Sequence, residues 1–270
     1  MKVAILAGGK GSRFAEETVY RPKPMIEIGG KPILWHIMMH YYTFGYSDFA
    51  VALGYKGSVI KRWFLDMAML DGDLRVSTRS GEVKRRPLSV PDWGVDLVET
   101  GAETNTGGRI KALKDTIGNE RFMLTWGDGL SNVNLDALLA FHKGHGKLAT
   151  VTVVRPPARF GHVRLDSTQV IDFTEKPYAS EGWINGAFFV LEPEVFEFID
   201  GPDTLFEKEP LQRLAREGQL MAYQHAGFWQ CMDTLNDKQK LEALWESGNA
   251  PWVTWDNGTW TYSSPAIAAI

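Results

Sequence analysis

Short apolar runs alternate with segments whose apolar residues recur at helical spacing. Residues 2–7, with Val3, Ala4, Ile5 and Leu6 in sequence, form the first run and read as a buried strand. Residues 32–44 place Ile33, Ile37, Tyr41 and Phe44 near one helical face, and Gly45 supplies a stop signal. Further strands are predicted at 49–53, 95–99, 123–126 and 149–154, with helices at 58–70, about 108–117 and 135–145. This β-then-α rhythm predicts an α/β fold, a mixed and mostly parallel sheet flanked by helices on both faces.

Beyond residue 155 the rhythm changes. Residues 161–165 and 169–173 flank the polar turn Asp166-Ser167-Thr168 and predict a hairpin, and 183–191 is a nearly continuous apolar strand. Helices are expected at 193–199, 211–217 and 235–246. No repeat, low-complexity tract or linker interrupts the chain. One domain over residues 1–257, followed by a tail at 258–270 that packs on a neighbouring subunit or is loosely ordered, is the simplest organisation.

Composition narrows the class. Of 270 residues, 44% are hydrophobic and 23% charged, an ordinary globular balance. The net charge of −4 argues against a general nucleic-acid binder, and the short basic run Lys84-Arg85-Arg86 lacks interleaved aromatics. No apolar stretch approaches the roughly 18 residues that span a bilayer. Residues 1–7 are too short for a signal peptide. The single cysteine excludes an intramolecular disulfide and a cysteine-based zinc site. Together these features lead to the expectation of a cytoplasmic protein with no membrane or nucleic-acid partner.

The first strand runs into Gly8, Gly9 and Gly11, followed by Ser12 and Arg13. Glycines leave backbone N–H groups bare to a close-approaching phosphate, and Arg13 adds a fork of donors. Lys23 sits between Pro22 and Pro24, which stiffen its backbone. The loop lacks the third glycine of a dinucleotide fingerprint and the order of a Walker loop. The second strand ends in Leu53-Gly54-Tyr55 without an acidic residue, a further mark against a dinucleotide-binding oxidoreductase. In a parallel sheet ligands gather at the carboxyl ends of strands, which brings the 8–13 loop, residues 100–109, residues 126–129 and the end of the 149–154 strand to one rim.

Several residues there admit two readings. Asp128, between Gly127 and Gly129, suits either a metal or a helix-capping turn. Asp233 suits a metal or the N-cap of the helix near Leu235. Residues 104–109 suit a nucleotide or an ordinary cap and turn. Glu175 and Lys176 fit sugar hydroxyls and a sugar phosphate, or a surface ion pair. Asn185 and Gly186 interrupt an apolar strand in a way that permits close ligand approach. His36 and His40 lack the adjacent glutamate of a zinc-protease helix and read as packing residues.

The run Gly8-Gly9-x-Gly11-Ser12-Arg13 with Pro22-Lys23-Pro24 resembles the signature of the sugar-phosphate nucleotidyltransferases. Collinear similarity continues through 24–38, Thr106-Gly107-Gly108-Arg109, Gly127-Asp128-Gly129, Glu175-Lys176-Pro177, Ile184-Asn185-Gly186 and 228–234. The resemblance implies the Rossmann-like nucleotidyltransferase fold, with a nucleotide-binding part over about 1–130 and a sugar-binding part over about 131–257. It points most closely to the branch that joins CTP to glucose 1-phosphate. On that likeness Leu6, Ala7, Gly8, Gly9, Gly11, Ser12, Arg13, Lys23, Thr104, Thr106, Gly107, Arg109 and Asp128 bind the nucleotide. Arg13, Lys23 and Asp128 act in catalysis, and Asp128 and Asp233 hold one Mg²⁺. Glu175, Lys176, Asn185 and Gly186 bind the sugar phosphate. Members of the family form homo-oligomers, and CDP-glucose typically feeds surface polysaccharide (lipopolysaccharide O-antigen) synthesis. Lys10, Phe14 and Cys231 depart from the family pattern, so another sugar 1-phosphate, or dTTP or UTP as nucleotide, stays as an alternative; a silent nucleotide-sugar sensor on the same scaffold is a separate one.

Overall fold

Successive residues of a strand point to opposite faces of its sheet, and here both faces are covered. Val3 and Ile5 enter one apolar cluster, and Ala4 and Leu6 enter the other. The computed structural model describes residues 1–70, 72–86, 91–155, 162–174 and 182–255. The tail at 258–270 lies outside them.

Seven strands form the central sheet: β1 (Val3–Leu6), β2 (Asp48–Leu53), β3 (Gly94–Glu99), β4 (Phe122–Trp126), β5 (Ala149–Val154), β6 (Ile184–Leu191) and β7 (Leu220–His225). Their order is β7-β5-β6-β4-β1-β2-β3. All run parallel except β6, which is antiparallel to both neighbours. The expected mixed, mostly parallel sheet is therefore observed.

Helices α1 (Ile33–Thr43), α2 (Gly57–Leu70), α4 (Leu135–His145) and α6 (Leu235–Glu246) pack on the Val3/Ile5 face. Helices α3 (Thr106–Ala112) and α5 (Glu209–Arg216), with the 3₁₀ turn Pro193–Phe198, cover the other. The hairpin expected after residue 160 is formed by His162–Asp166 and Gln169–Thr174. A second hairpin, Asp73–Val76 with Val83–Arg86, was not evident in the sequence.

Register sets the rim. Leu6 pairs with Trp126 on one side and Ala52 on the other, and Leu53 pairs with Glu99. The carboxyl ends of β1, β2, β3 and β4 thus lie level, and the loops leaving them share one edge of the sheet.

Candidate active site

A cleft of about 400 Å³ opens at that edge. Of the residues singled out from sequence, Leu6, Ala7, Gly8, Gly9, Gly11 and Ser12 line it from the first loop. Thr104, Thr106 and Arg109 line it from the third, and Lys23, Asp128 and Asp233 close it. The Arg13 side chain, Glu175 and Lys176 lie outside the described part of the structure.

The first loop is held by its ends. The Gly8 carbonyl accepts from Tyr55 N–H at 3.0 Å, and Phe14 N–H donates to the Gly11 carbonyl at 2.8 Å to open the 3₁₀ turn Ser12–Phe14. Gly11 has φ +62°, a left-handed conformation that glycine adopts without penalty. Between these anchors, the amides of Gly9, Lys10, Gly11 and Ser12 meet no acceptor among the described residues. Consecutive bare amides form a concavity suited to an anion. Lys10 reaches across to Glu103 at 2.7 Å, an exposed pair at the mouth of the cleft.

Lys23 lies in the 3₁₀ turn Lys23–Met25 and is buried. Its ammonium donates to Asp128 Oδ2 at 2.7 Å and to Asp233 Oδ1 at 2.5 Å. Burial opposes the charge, but the two carboxylates outweigh it and hold the Lys23 ammonium above its ordinary range. Asp128 sits in the turn between β4 and the short strand Gly129–Ser131, and its carbonyl accepts from Met232 N–H at 2.9 Å. Gly127 before it has to be small, since a Cβ there would lie 2.9 Å from the Leu6 carbonyl oxygen.

The helix-capping alternatives are taken by other residues. Asn134 caps α4 by accepting from Ala137 N–H. Thr234 caps α6 in a capping box with Asp237, whose carboxylate also accepts from Asp233 N–H. The Asp128 and Asp233 side chains instead meet the Lys23 ammonium at the cleft. The two carboxylates converge on the Lys23 ammonium, and as hard oxygen ligands they could also hold Mg²⁺ if phosphate oxygens and water completed its shell. No group of three or more histidine, cysteine or acidic side chains able to hold a metal occurs among the described residues. A nucleotide's oxygens would have to complete the shell.

Arg109 is buried and clamps the third loop. Nη1 donates to the Leu53 carbonyl at 3.0 Å, to Thr100 Oγ1 at 2.7 Å and to the Gly101 carbonyl at 2.7 Å. The guanidinium passes so close to Gly8 and Gly54 that a Cβ on either would lie 2.3 Å from Nη1. Burial pulls its pKa below the ordinary value, with Glu103 opposing. Thr106 is equally committed: its hydroxyl donates to Glu207 Oε2 at 2.6 Å and accepts from Phe206 N–H at 2.9 Å.

Three further residues singled out from sequence, Gly107, Asn185 and Gly186, are not among those lining this cleft. Gly107 is turned onto the 199–207 segment, where its N–H meets the Thr204 carbonyl at 2.9 Å and a Cβ would lie 2.8 Å from the same oxygen. Asn185 and Gly186 lie at an irregular stretch of β6, where two more residues are passed than on β5. Asn185 Oδ1 accepts from Ala187 N–H, Ala187 has φ +63°, and a Cβ on Gly186 would lie 2.9 Å from Val154 Cγ1. The break in the apolar pattern at 185–186 thus has a backbone cause, a β-bulge.

Cys231 lies beside the aspartates, its Sγ 3.7 Å from Asp233 Oδ2. Burial and the surrounding carboxylates push the thiol up to about 12, which removes it as a nucleophile. His36 and His40 are buried in the packing of α1, as their spacing implies. Trp126 lines the cleft without a role assigned from sequence, and Glu207, which accepts from both Trp126 and Thr106, is a second residue so missed. Trp126 was legible only as a neighbour of Asp128, and Glu207 had no signal at all, being one acid among several at 203–209.

A sheet-edge cleft with a bare-amide loop, a buried lysine and two convergent aspartates defines a site for an activated phosphate compound. The chain belongs to the nucleotidyl transferase family, whose profile matches residues 2–251. It is 48% identical over 257 residues to the glucose-1-phosphate cytidylyltransferases of Salmonella typhi and Salmonella typhimurium, covering 95% of this chain and 100% of each relative. A solved UDP-glucose pyrophosphorylase in complex with UDP-glucose shares the fold, with a TM-score of 0.67 at 18% identity over 92% of this chain and 98% of that one.

Proposed function

We propose that the protein transfers a cytidylyl group from CTP to α-D-glucose 1-phosphate, giving CDP-glucose and pyrophosphate. The observation that carries this reading is the 48% identity spanning the whole of the Salmonella cytidylyltransferases. It is supported by the lining of the cleft with residues that the reaction needs.

An oxygen of the sugar phosphate attacks the α-phosphorus of CTP, the bond from that phosphorus to the bridging oxygen breaks, and pyrophosphate departs in line. The attacking phosphate is already anionic near neutral pH, so no strong general base is needed, and catalysis rests on positioning and charge neutralisation. The amides of Gly9, Lys10, Gly11 and Ser12 hold phosphate oxygens, and Arg13 and Lys23 balance the triphosphate charge. Asp128 and Asp233 would hold Mg²⁺, which supplies further neutralisation of the nucleotide phosphates when bound. Glu175, Lys176, Asn185 and Gly186 are assigned to the sugar phosphate. Self-association into a homo-oligomer, a cytoplasmic location and a role in O-antigen sugar synthesis belong to the same proposal.

Phosphorus NMR of the protein incubated with CTP, glucose 1-phosphate and a magnesium salt tests the reaction. The proposal expects a new nucleotide-sugar diphosphate signal rising in step with pyrophosphate. Loss of CTP without that signal, or no loss at all, would overturn it.

A further inference from the structure

Two side chains on the cleft wall, from different elements, spend their only donors on one carboxylate that nothing else assigns a role. Thr106 opens α3, and its hydroxyl donates to Glu207 Oε2 at 2.6 Å. Trp126 ends β4, and its indole N–H donates to Glu207 Oε1 at 3.1 Å. Both donors line the cleft. Trp126 is fixed from behind by stacking on Phe189, with ring centroids 5.1 Å apart and planes at 29°. Glu207 itself is exposed, and no cation pairs with it among the described residues.

An uncompensated carboxylate close to a site for a polyanion works against anion binding. What a carboxylate alone offers is two acceptor oxygens spaced to take two donors at once. A neutral amide of the same shape would turn an N–H₂ group toward one of them. Glu207 thereby locks the start of α3 to the end of the strand that leads, two residues on, into Asp128.

We propose that Glu207 is a positioning residue of the nucleotide cleft, setting the wall formed by Thr106 and Trp126 without touching the reacting atoms. The inference rests on the reading of the cleft as a CTP site. Loss of Glu207 frees both donors and lets the wall spread, which weakens nucleotide binding before it affects the chemical step.

The test is steady-state kinetics of Glu207→Ala and Glu207→Gln, each also placed in a Thr106→Val/Trp126→Phe background. Glu207→Ala, which loses both bonds, is expected to raise the KM for CTP about tenfold, less than two charge-assisted bonds are worth because the loss reaches CTP only through the wall, with kcat and the KM for glucose 1-phosphate changing less than about threefold. Glu207→Gln retains one of the two bonds and falls between. In the doubly substituted background the Glu207→Ala effect should vanish, because its partners are gone. An unchanged KM for CTP, a fall confined to kcat, or full additivity with the background would overturn the proposal. Thermal unfolding of each variant separates a loss of folding from a loss of positioning. A wild-type protein that releases no pyrophosphate from CTP would instead defeat the parent reading.

Discussion

At the scale of single residues, Lys23 joins parts of the chain that lie far apart. Its two carboxylate partners are 105 and 210 residues away in sequence. The ammonium is buried, so its interactions are stronger than those of a surface lysine, and its removal leaves two carboxylates without their shared cation. Lys23→Ala should therefore raise the Kd for the nucleotide by about tenfold to a hundredfold, the range for losing hydrogen bonds to charged groups. Isothermal titration of CTP into the variant checks this, and wild-type affinity would remove Lys23 from the triphosphate site. Arg109 shows the opposite economy. Its guanidinium spends its strongest bonds on the backbone and hydroxyl of residues 53, 100 and 101, so its first duty is to hold the loop that the nucleotide meets.

At the scale of elements, the Thr106-Gly107-Gly108-Arg109 motif is explained by docking. The start of α3 lies against the 199–207 segment, and Asn105 N–H donates to the Pro202 carbonyl at 2.8 Å. A Cβ on Gly108 would lie 2.5 Å from both Pro202 Cα and the Pro202 carbonyl oxygen. Helix propensity alone favours Gly108→Ala by up to about 1 kcal/mol. Backbone overlap opposes it by about 1–3 kcal/mol. The substitution should thus lower the melting temperature, measured by calorimetry, and a rise would contradict this packing. Spacing revealed glycines at a turn, but the segment they pack against is about a hundred residues away, and no local pattern contains it.

Elements were legible where their ends were chemically marked. Helices α4 and α6 start after Asn134 and Thr234 and match the expected bounds, because cap and apolar spacing agree there. The expected helix at 108–117 is instead α3 followed by a separate turn, Lys114–Ile117, because Leu113 serves both as the end of one and the start of the other. The segment at 193–199 is a 3₁₀ turn. Strand β7 was missed because it is the sheet edge, half-exposed along its length, and its apolar run Leu220-Met221-Ala222-Tyr223 is too short to tell a strand from a helix end. The strand pair Gly129–Ser131 and Trp229–Cys231, which flanks both aspartates, is three residues a side and too short to leave a periodicity.

At the scale of the whole molecule, the apolar layer around α1 carries an acid sensitivity. Burial pulls His36 and His40 down to about 4, aided by Lys31 near the first and His225 near the second. Their unfolded value is about 6.5, so below that pH the unfolded chain binds protons that the folded chain refuses. The stability these neutral histidines allow is complete above pH 6.5 and is lost progressively as pH falls toward 4. The melting temperature should decline across that window, and the decline should be shallower in His40→Leu. An identical slope in the variant would assign the acid sensitivity to other groups.

The same whole-molecule view makes the central claim testable in one assay. β1, β2, β3 and β4 bring four loops to one rim, a turn from the N-terminal part supplies Lys23, and the C-terminal part returns Asp233 to meet it. If that cleft is a cytidylyltransferase site, pyrophosphate release with glucose 1-phosphate and a magnesium salt should show a kcat/KM for CTP far above those for UTP, dTTP, ATP and GTP measured side by side. Equal or greater efficiency with any of the other four would contradict the assignment to CTP, and no release with any of them would contradict nucleotidyl transfer to this sugar phosphate.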